Sequence, residues 1–76
     1  MLLDYCHVNN DVIIKFRKKL KNLRIRFGCT SKQLSELIGC DASYISKIEN
    51  GRITPPLDKL VVIADYFGIK FEELFK

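Results

Sequence analysis

Residues 31–50, SKQLSELIGCDASYISKIEN, carry two short helical patterns separated by one glycine. Leu34, Leu37 and Ile38 recur at helical spacing, Gly39 interrupts, and Cys40, Ile45 and Ile48 resume the pattern. Ser31 can cap the first helix with its hydroxyl. Gly39 falls just past the last turn of that helix, where a left-handed backbone is easy for a residue without Cβ, and Asp41 can cap the second helix. A turn of only about three residues is too short for an open antiparallel pair, so the two helices should cross steeply as a helix-turn-helix.

At about 100° per residue, Ile45 and Ile48 define the buried side of the second helix and leave Ser43, Ser46, Lys47 and Asn50 pointing away. That outward face is neutral to positive and rich in hydrogen-bond donors. Such a helix fits a DNA major groove, where hydroxyls, an amide and a lysine meet base edges and phosphates.

Upstream, Asn9, Asn10 and Asp11 mark a helix start, and apolar residues at 13, 16, 20, 23 and 27 fall on one face. This first helix carries Lys15, Arg17, Lys18, Lys19, Lys21, Arg24 and Arg26, seven of the thirteen positive charges. Ile14 and Ile25 project opposite the core stripe; Leu2, Leu3, Tyr5 and Val8 are candidates to cover them, by folding back or by reaching a second subunit. Gly28 ends the helix. Downstream, Pro55 and Pro56 suit the opening of a fourth helix, in which Leu57, Leu60, Ile63, Ala64 and Phe67 share a face until Gly68 closes it. Val62 and Tyr66 point elsewhere. The final FEELF, residues 71–75, is too short to stand unaided and must dock.

The chain has 76 residues and a net charge of +4. It makes one domain with a modest core. Residues 1–52 hold ten Lys/Arg against five Asp/Glu, whereas residues 53–76 hold three against four. The basic part suits a polyanion such as nucleic acid. No apolar run can span a bilayer and no secretory signal is present, so a cytoplasmic location is expected. Cys6, Cys29 and Cys40 form no CxxC pair, and Cys6 beside His7 lacks two further ligands, so no metal or other cofactor is expected. No phosphate-cradling glycine loop, triad or metal cluster supports an enzyme.

From about Phe16 to Phe75 the chain resembles the Cro/CI/Xre family of helix-turn-helix DNA-binding proteins. The resemblance is carried by LSELIGCDASYISKIENG at 34–51, LDKLVVIADYFGI at 57–69 and FEELF at 71–75. It implies an all-α, compact five-helix, lambda-repressor-like DNA-binding domain over residues 11–76, with the helix-turn-helix formed by helices 2 and 3 and residues 1–10 as an N-terminal extension. It further implies that Ala42, Ser43 and Lys47 meet base edges, and that Tyr44, Ser46 and Asn50 lie near the sugar-phosphate backbone. Ser31 replaces the glutamine usual at the start of helix 2; the backbone N–H groups there, with Lys32, would then hold the phosphate, and Arg52 is a further phosphate contact. Ser35 is an acceptable substitute for the small residue usual at its position. Arg24 and Glu49 match a structural ion pair of the family.

The leading expectation is a homodimeric transcriptional regulator, a repressor by occlusion of polymerase, that binds a near-palindromic double-stranded operator. Its dimer surface would comprise Val62, Tyr66, Phe71 and Phe75. The alternatives are an antitoxin-like module that binds a toxin partner and autoregulates, a controller protein of a restriction-modification system, and activation through contact with RNA polymerase.

Overall fold

The computed structural model describes residues 2–76, with side chains from Asp11 onward. Four α-helices follow one another: α1 (Leu2–Arg26), α2 (Ser31–Leu37), α3 (Tyr44–Glu49) and α4 (Leu57–Phe67). A terminal 3-10 helix (Phe71–Phe75) takes the place of the expected fifth helix, and no strand occurs among the described residues. The all-α expectation therefore holds. No described helix is long and apolar enough to cross a membrane.

The core forms where the apolar stripes meet. Phe16, Leu20 and Leu23 from α1 pack with Leu34 and Ile38, with Ile45 and Ile48 of α3, and with Ile63, Ala64 and Phe67 of α4. Leu74 of the terminal 3-10 helix is fully buried beside them, and the Phe75 ring centroid lies 5.8 Å from that of Phe16. Each such side chain contributes about 1.5–3 kcal/mol through burial. This is how five residues with little helical stability of their own stay in place: docking holds them.

Several boundaries differ from expectation. α1 begins at Leu2, so Asn9, Asn10 and Asp11 lie inside it. No glycine or proline interrupts the chain before Gly28, and Asn or Asp in a helix interior costs only about 0.7 kcal/mol. A continuous helix runs away from Ile25 rather than back over it, which removes the fold-back option. The side chains of Leu2, Leu3, Tyr5 and Val8, and of Cys6 and His7, lie outside the described ones. Ile14 and Ile25 are exposed. Phe27 falls just beyond α1 and is half exposed, its ring edge-on to Phe67 at 4.9 Å.

In α2 the cap is Thr30, not Ser31. Thr30 Oγ1 accepts from the Gln33 N–H at 3.0 Å, and Gln33 Oε1 accepts from the Thr30 N–H at 2.9 Å. Thr30 wins because Gln33 stands three residues on, which completes a reciprocal capping box. Leu37 is 58% exposed rather than buried. The buried sector of α2 runs through Leu34, Ile38 and Ser35, and Leu37 lies about 100° from its middle. Leu57, the first residue of α4, is likewise exposed, while Leu60, Ile63, Ala64 and Phe67 face inward as expected.

Candidate nucleic-acid interface

α3 has six residues, too few for an isolated helix to persist. It exists because neighbours fix both of its ends. The connection from α2 spans residues 38–43, longer than the three residues expected, and Gly39 takes φ 76°, a backbone shape that a Cβ would penalise. At the start of α3 the Asp41 carbonyl accepts from the Tyr44 N–H at 2.9 Å. The Asp41 carboxylate accepts from the Ser43 hydroxyl at 2.7 Å and from the Ser43 N–H at 3.4 Å. Asp41 therefore organises the turn before the helix rather than capping α3 itself, whose N-cap Ser43 makes no side-chain capping bond.

The missing cap comes from another helix. Ser35, 0% exposed in α2, accepts from the Ile45 N–H at 2.9 Å and donates its proton to the Ser31 carbonyl at 2.8 Å. One hydroxyl thus bridges α2 and α3 while satisfying an N–H that the first turn of any helix leaves without a partner.

At the other end Glu49 is gripped by Arg24. Arg24 Nε donates to Glu49 Oε2 at 2.7 Å and Nη2 donates to Oε1 at 3.1 Å, while Nη1 reaches the Cys29 carbonyl at 2.9 Å. Both side chains are largely buried. The Glu49 carboxylate, through its hydrogen bonds, holds the Arg24 guanidinium above its already high ordinary pKa. The fork ties α1, the α1–α2 link and α3 together.

With Ile45 and Ile48 fully buried, the opposite edge of α3 faces outward. Ala42, Lys47, Asn50 and Arg52 are exposed, and Ser43, Tyr44 and Ser46 are partly exposed. Asn50 Nδ2 donates to Ser46 Oγ at 3.3 Å, so these two expected contacts brace each other. The Ser43 proton is engaged by Asp41, which leaves its oxygen to act as an acceptor. Tyr44 packs against the core, and burial pushes its phenol above the ordinary value. Ser31, at the start of α2, is partly exposed and Lys32 is exposed. The Thr30–Gln33 box engages two of the N–H groups expected to hold a phosphate there.

Asp41 is the residue that sequence reasoning cast only as a cap. Its exposed carboxylate borders the outward edge. The Ser43 hydroxyl, then the Ser43 N–H, and to a smaller extent the Lys47 charge, draw its pKa below the ordinary value, so it stays ionised at neutral pH. It adds a negative charge and an acceptor beside Lys47. The signal was present in the D-x-S spacing, which lets a carboxylate reach back over its own turn.

The expected dimer residues divide into two kinds. Val62 and Tyr66 stand exposed on α4. Phe71 and Phe75 are partly buried and stacked edge-on at 5.3 Å, with Phe75 turned onto Phe16. Tyr66 continues into an apolar surface with Phe27, whose ring centroid lies 6.3 Å away. Its hydroxyl is 3.6 Å from Cys29 Sγ, at the rim of a groove of about 450 Å³ lined by Cys29, Gln33, Glu36 and Leu37. No group of three potential metal ligands occurs among the described residues.

A family profile described as helix-turn-helix matches residues 20–74. The chain is 34% identical over 59 residues to an uncharacterized HTH-type transcriptional regulator, YgzD, of Bacillus subtilis, covering 78% of this chain and 89% of that protein. It is 37% identical over 67 residues to the control protein C.MunI of a Mycoplasma species, covering 87% of this chain and 90% of that one. Among solved structures, the restriction-modification controller protein C.AhdI from Aeromonas hydrophila matches with a TM-score of 0.75 at 32% identity, over 83% of this chain and 96% of that one.

Proposed function

The chain belongs to the Cro/CI/Xre-type helix-turn-helix family of DNA-binding transcriptional regulators, and from that premise we propose that it represses transcription as a homodimer on a near-palindromic operator. α3 of each protomer lies in the major groove. Ala42 and Ser43 meet base edges with Lys47, while Ser31, Lys32, Tyr44, Ser46, Asn50 and Arg52 fix the docking angle on the sugar-phosphate strands. On this reading the protein works in the cytoplasm. The observation that carries the reading is the division of labour on α3: Ile45, Ile48 and Glu49 hold it down, and the opposite edge offers hydrogen-bonding groups and a lysine to the outside.

One recognition helix reads too few base pairs to find a site in a genome, and a two-fold dimer doubles them at a spacing of about one DNA turn. Val62 and Tyr66, exposed on α4, supply the apolar surface for that pairing, with the partly exposed Phe71 and Phe75 as further contributors. The similarity to two proteins named as controllers favours a more specific reading, in which this chain also regulates a restriction-modification operon.

Selection of bound duplexes from a random pool at several salt concentrations tests the proposal. A palindromic consensus with a steep salt slope is the expected result, and indifference to every duplex refutes it. Lys47→Ala should relax preference at one base position, whereas Arg52→Ala should weaken all duplexes alike. Val62→Glu should yield a monomer in sedimentation experiments; a persistent dimer would move the pairing surface elsewhere.

A further inference from the structure

Arg17 stands in α1 seven residues before Arg24, and about 100° per residue returns the two side chains to the same flank of the helix. Arg24 is engaged on all three of its nitrogens by Glu49 and Cys29. Arg17 is not. Its guanidinium lies over Gly51, where a Cβ would stand 3.4 Å from both Cζ and Nη1 and 3.7 Å from Nη2. Gly51 has φ 78° and follows the last turn of α3, so the chain passes there without a side chain and leaves a flat backbone seat for the fork.

Among the described residues no carboxylate lies within 4 Å of Arg17, and no side-chain or backbone acceptor takes a hydrogen bond from it. A guanidinium carries five N–H donors in one plane. Here Arg17 is partly exposed and its fork is seated at the end of α3 with its donors unengaged. The adjoining groups say what it would take. Arg52 follows Gly51, exposed, with its own N–H held by the Lys47 carbonyl at 2.9 Å, and Lys47 is exposed one turn back. Three cations at this end of α3 select an anion, and a planar fork matches the paired oxygens of a phosphate.

Resting on the DNA-binding reading above, we propose that Arg17 is a phosphate contact supplied by α1, which closes with Arg52 on the sugar-phosphate strand beside α3. The clasp fixes docking and does not read sequence, because Arg17 reaches the loop after α3 rather than its outward edge. It also ties the first helix, otherwise a scaffold, directly to the duplex.

Anisotropy titrations of the full chain on the selected operator and on a scrambled duplex, across a salt series, test this. Arg17→Ala should flatten the slope of log K against log salt by about 0.9, so that between about 50 and 200 mM salt wild-type affinity falls about 3.5-fold more than that of the variant. The loss should be equal on both duplexes, the melting temperature should stay at the wild-type value, and Arg17→Lys should retain the slope. An unchanged slope overturns the clasp. So does weaker binding accompanied by a lower melting temperature, which would make Arg17 a brace for α3. If the wild type ignores every duplex, the DNA reading falls and the clasp with it; wild-type binding with an unaltered Arg17→Ala slope removes the clasp alone.

Discussion

Replacing Ser35 by alanine deletes one hydroxyl, and that hydroxyl joins the two helices of the motif. In the wild type it accepts from the Ile45 N–H at 2.9 Å and donates to the Ser31 carbonyl at 2.8 Å, at a position with no solvent exposure. Alanine fits the space, so no overpacking enters. The Ser31 carbonyl is the smaller loss, because a carbonyl near the start of a helix also serves the backbone ladder. The Ile45 N–H is the larger one: it is a buried donor in the first turn of α3, its alternatives are excluded by packing, and stranding it costs about 1–3 kcal/mol. A domain of this size has a total stability of only about 4–11 kcal/mol. A loss near 2 kcal/mol should lower the melting temperature by about 8–16 °C. Circular dichroism melts and urea titrations of wild type and Ser35→Ala provide the measurement, with an unchanged urea slope as the sign that stability alone has moved. A melting temperature within about 2 °C of wild type would refute the reasoning and mean that α3 supports its own first turn.

Arg24→Ala or Glu49→Ala should each destabilise by about 2–3 kcal/mol in urea, since each leaves a largely buried charge without its partner, while Arg24→Met with Glu49→Leu should cost much less than the sum of the single changes. Thr30→Ala, which opens the capping box of α2, should cost about 1 kcal/mol by the same titration. The Asp41 carboxylate has a depressed pKa, because it accepts from the Ser43 hydroxyl and N–H. Its contribution is therefore complete above the ordinary aspartate value and lost as pH falls through the lower folded value. Melting temperatures of wild type and Asp41→Asn should differ at neutral pH and converge below about pH 4; a gap that persists in acid would assign the effect to shape rather than charge.

Apolar period alone located Phe16, Leu20, Leu23, Ile45 and Ile48, because a residue deep in a helical stripe has no other place to go. It misplaced Leu37 and Leu57, which lie at helix ends where neighbours, not period, determine the covered side. Hydroxyl positions were legible only in part. Thr30 and Ser31 are adjacent and equally able to cap, and Gln33 tips the choice to Thr30 through a spacing visible in the sequence. The bond from Ser35 to Ile45 spans ten residues and two helices, so no local pattern announces it. Arg24 with Glu49 was legible from family resemblance, and its bidentate geometry follows once α1 and α3 are packed. Arg17 escaped notice as one of seven cations on a basic helix, since its seat is a glycine distant in sequence.

Most of the groups that α3 presents are not the groups that hold it. Ala42, Lys47 and Asn50 support no core packing, and none of them takes part in the bonds that Ser35 and Arg24 make. On the proposed DNA reading, target preference would drift by substitution at these three sites while thermal resistance stays level. Ser43 and Tyr44 are the exceptions: the Ser43 proton belongs to Asp41, and the Tyr44 ring packs on the core. A lineage that changes Ser43 should alter Asp41 in step, which would make this pair the slowest part of the outward edge to evolve.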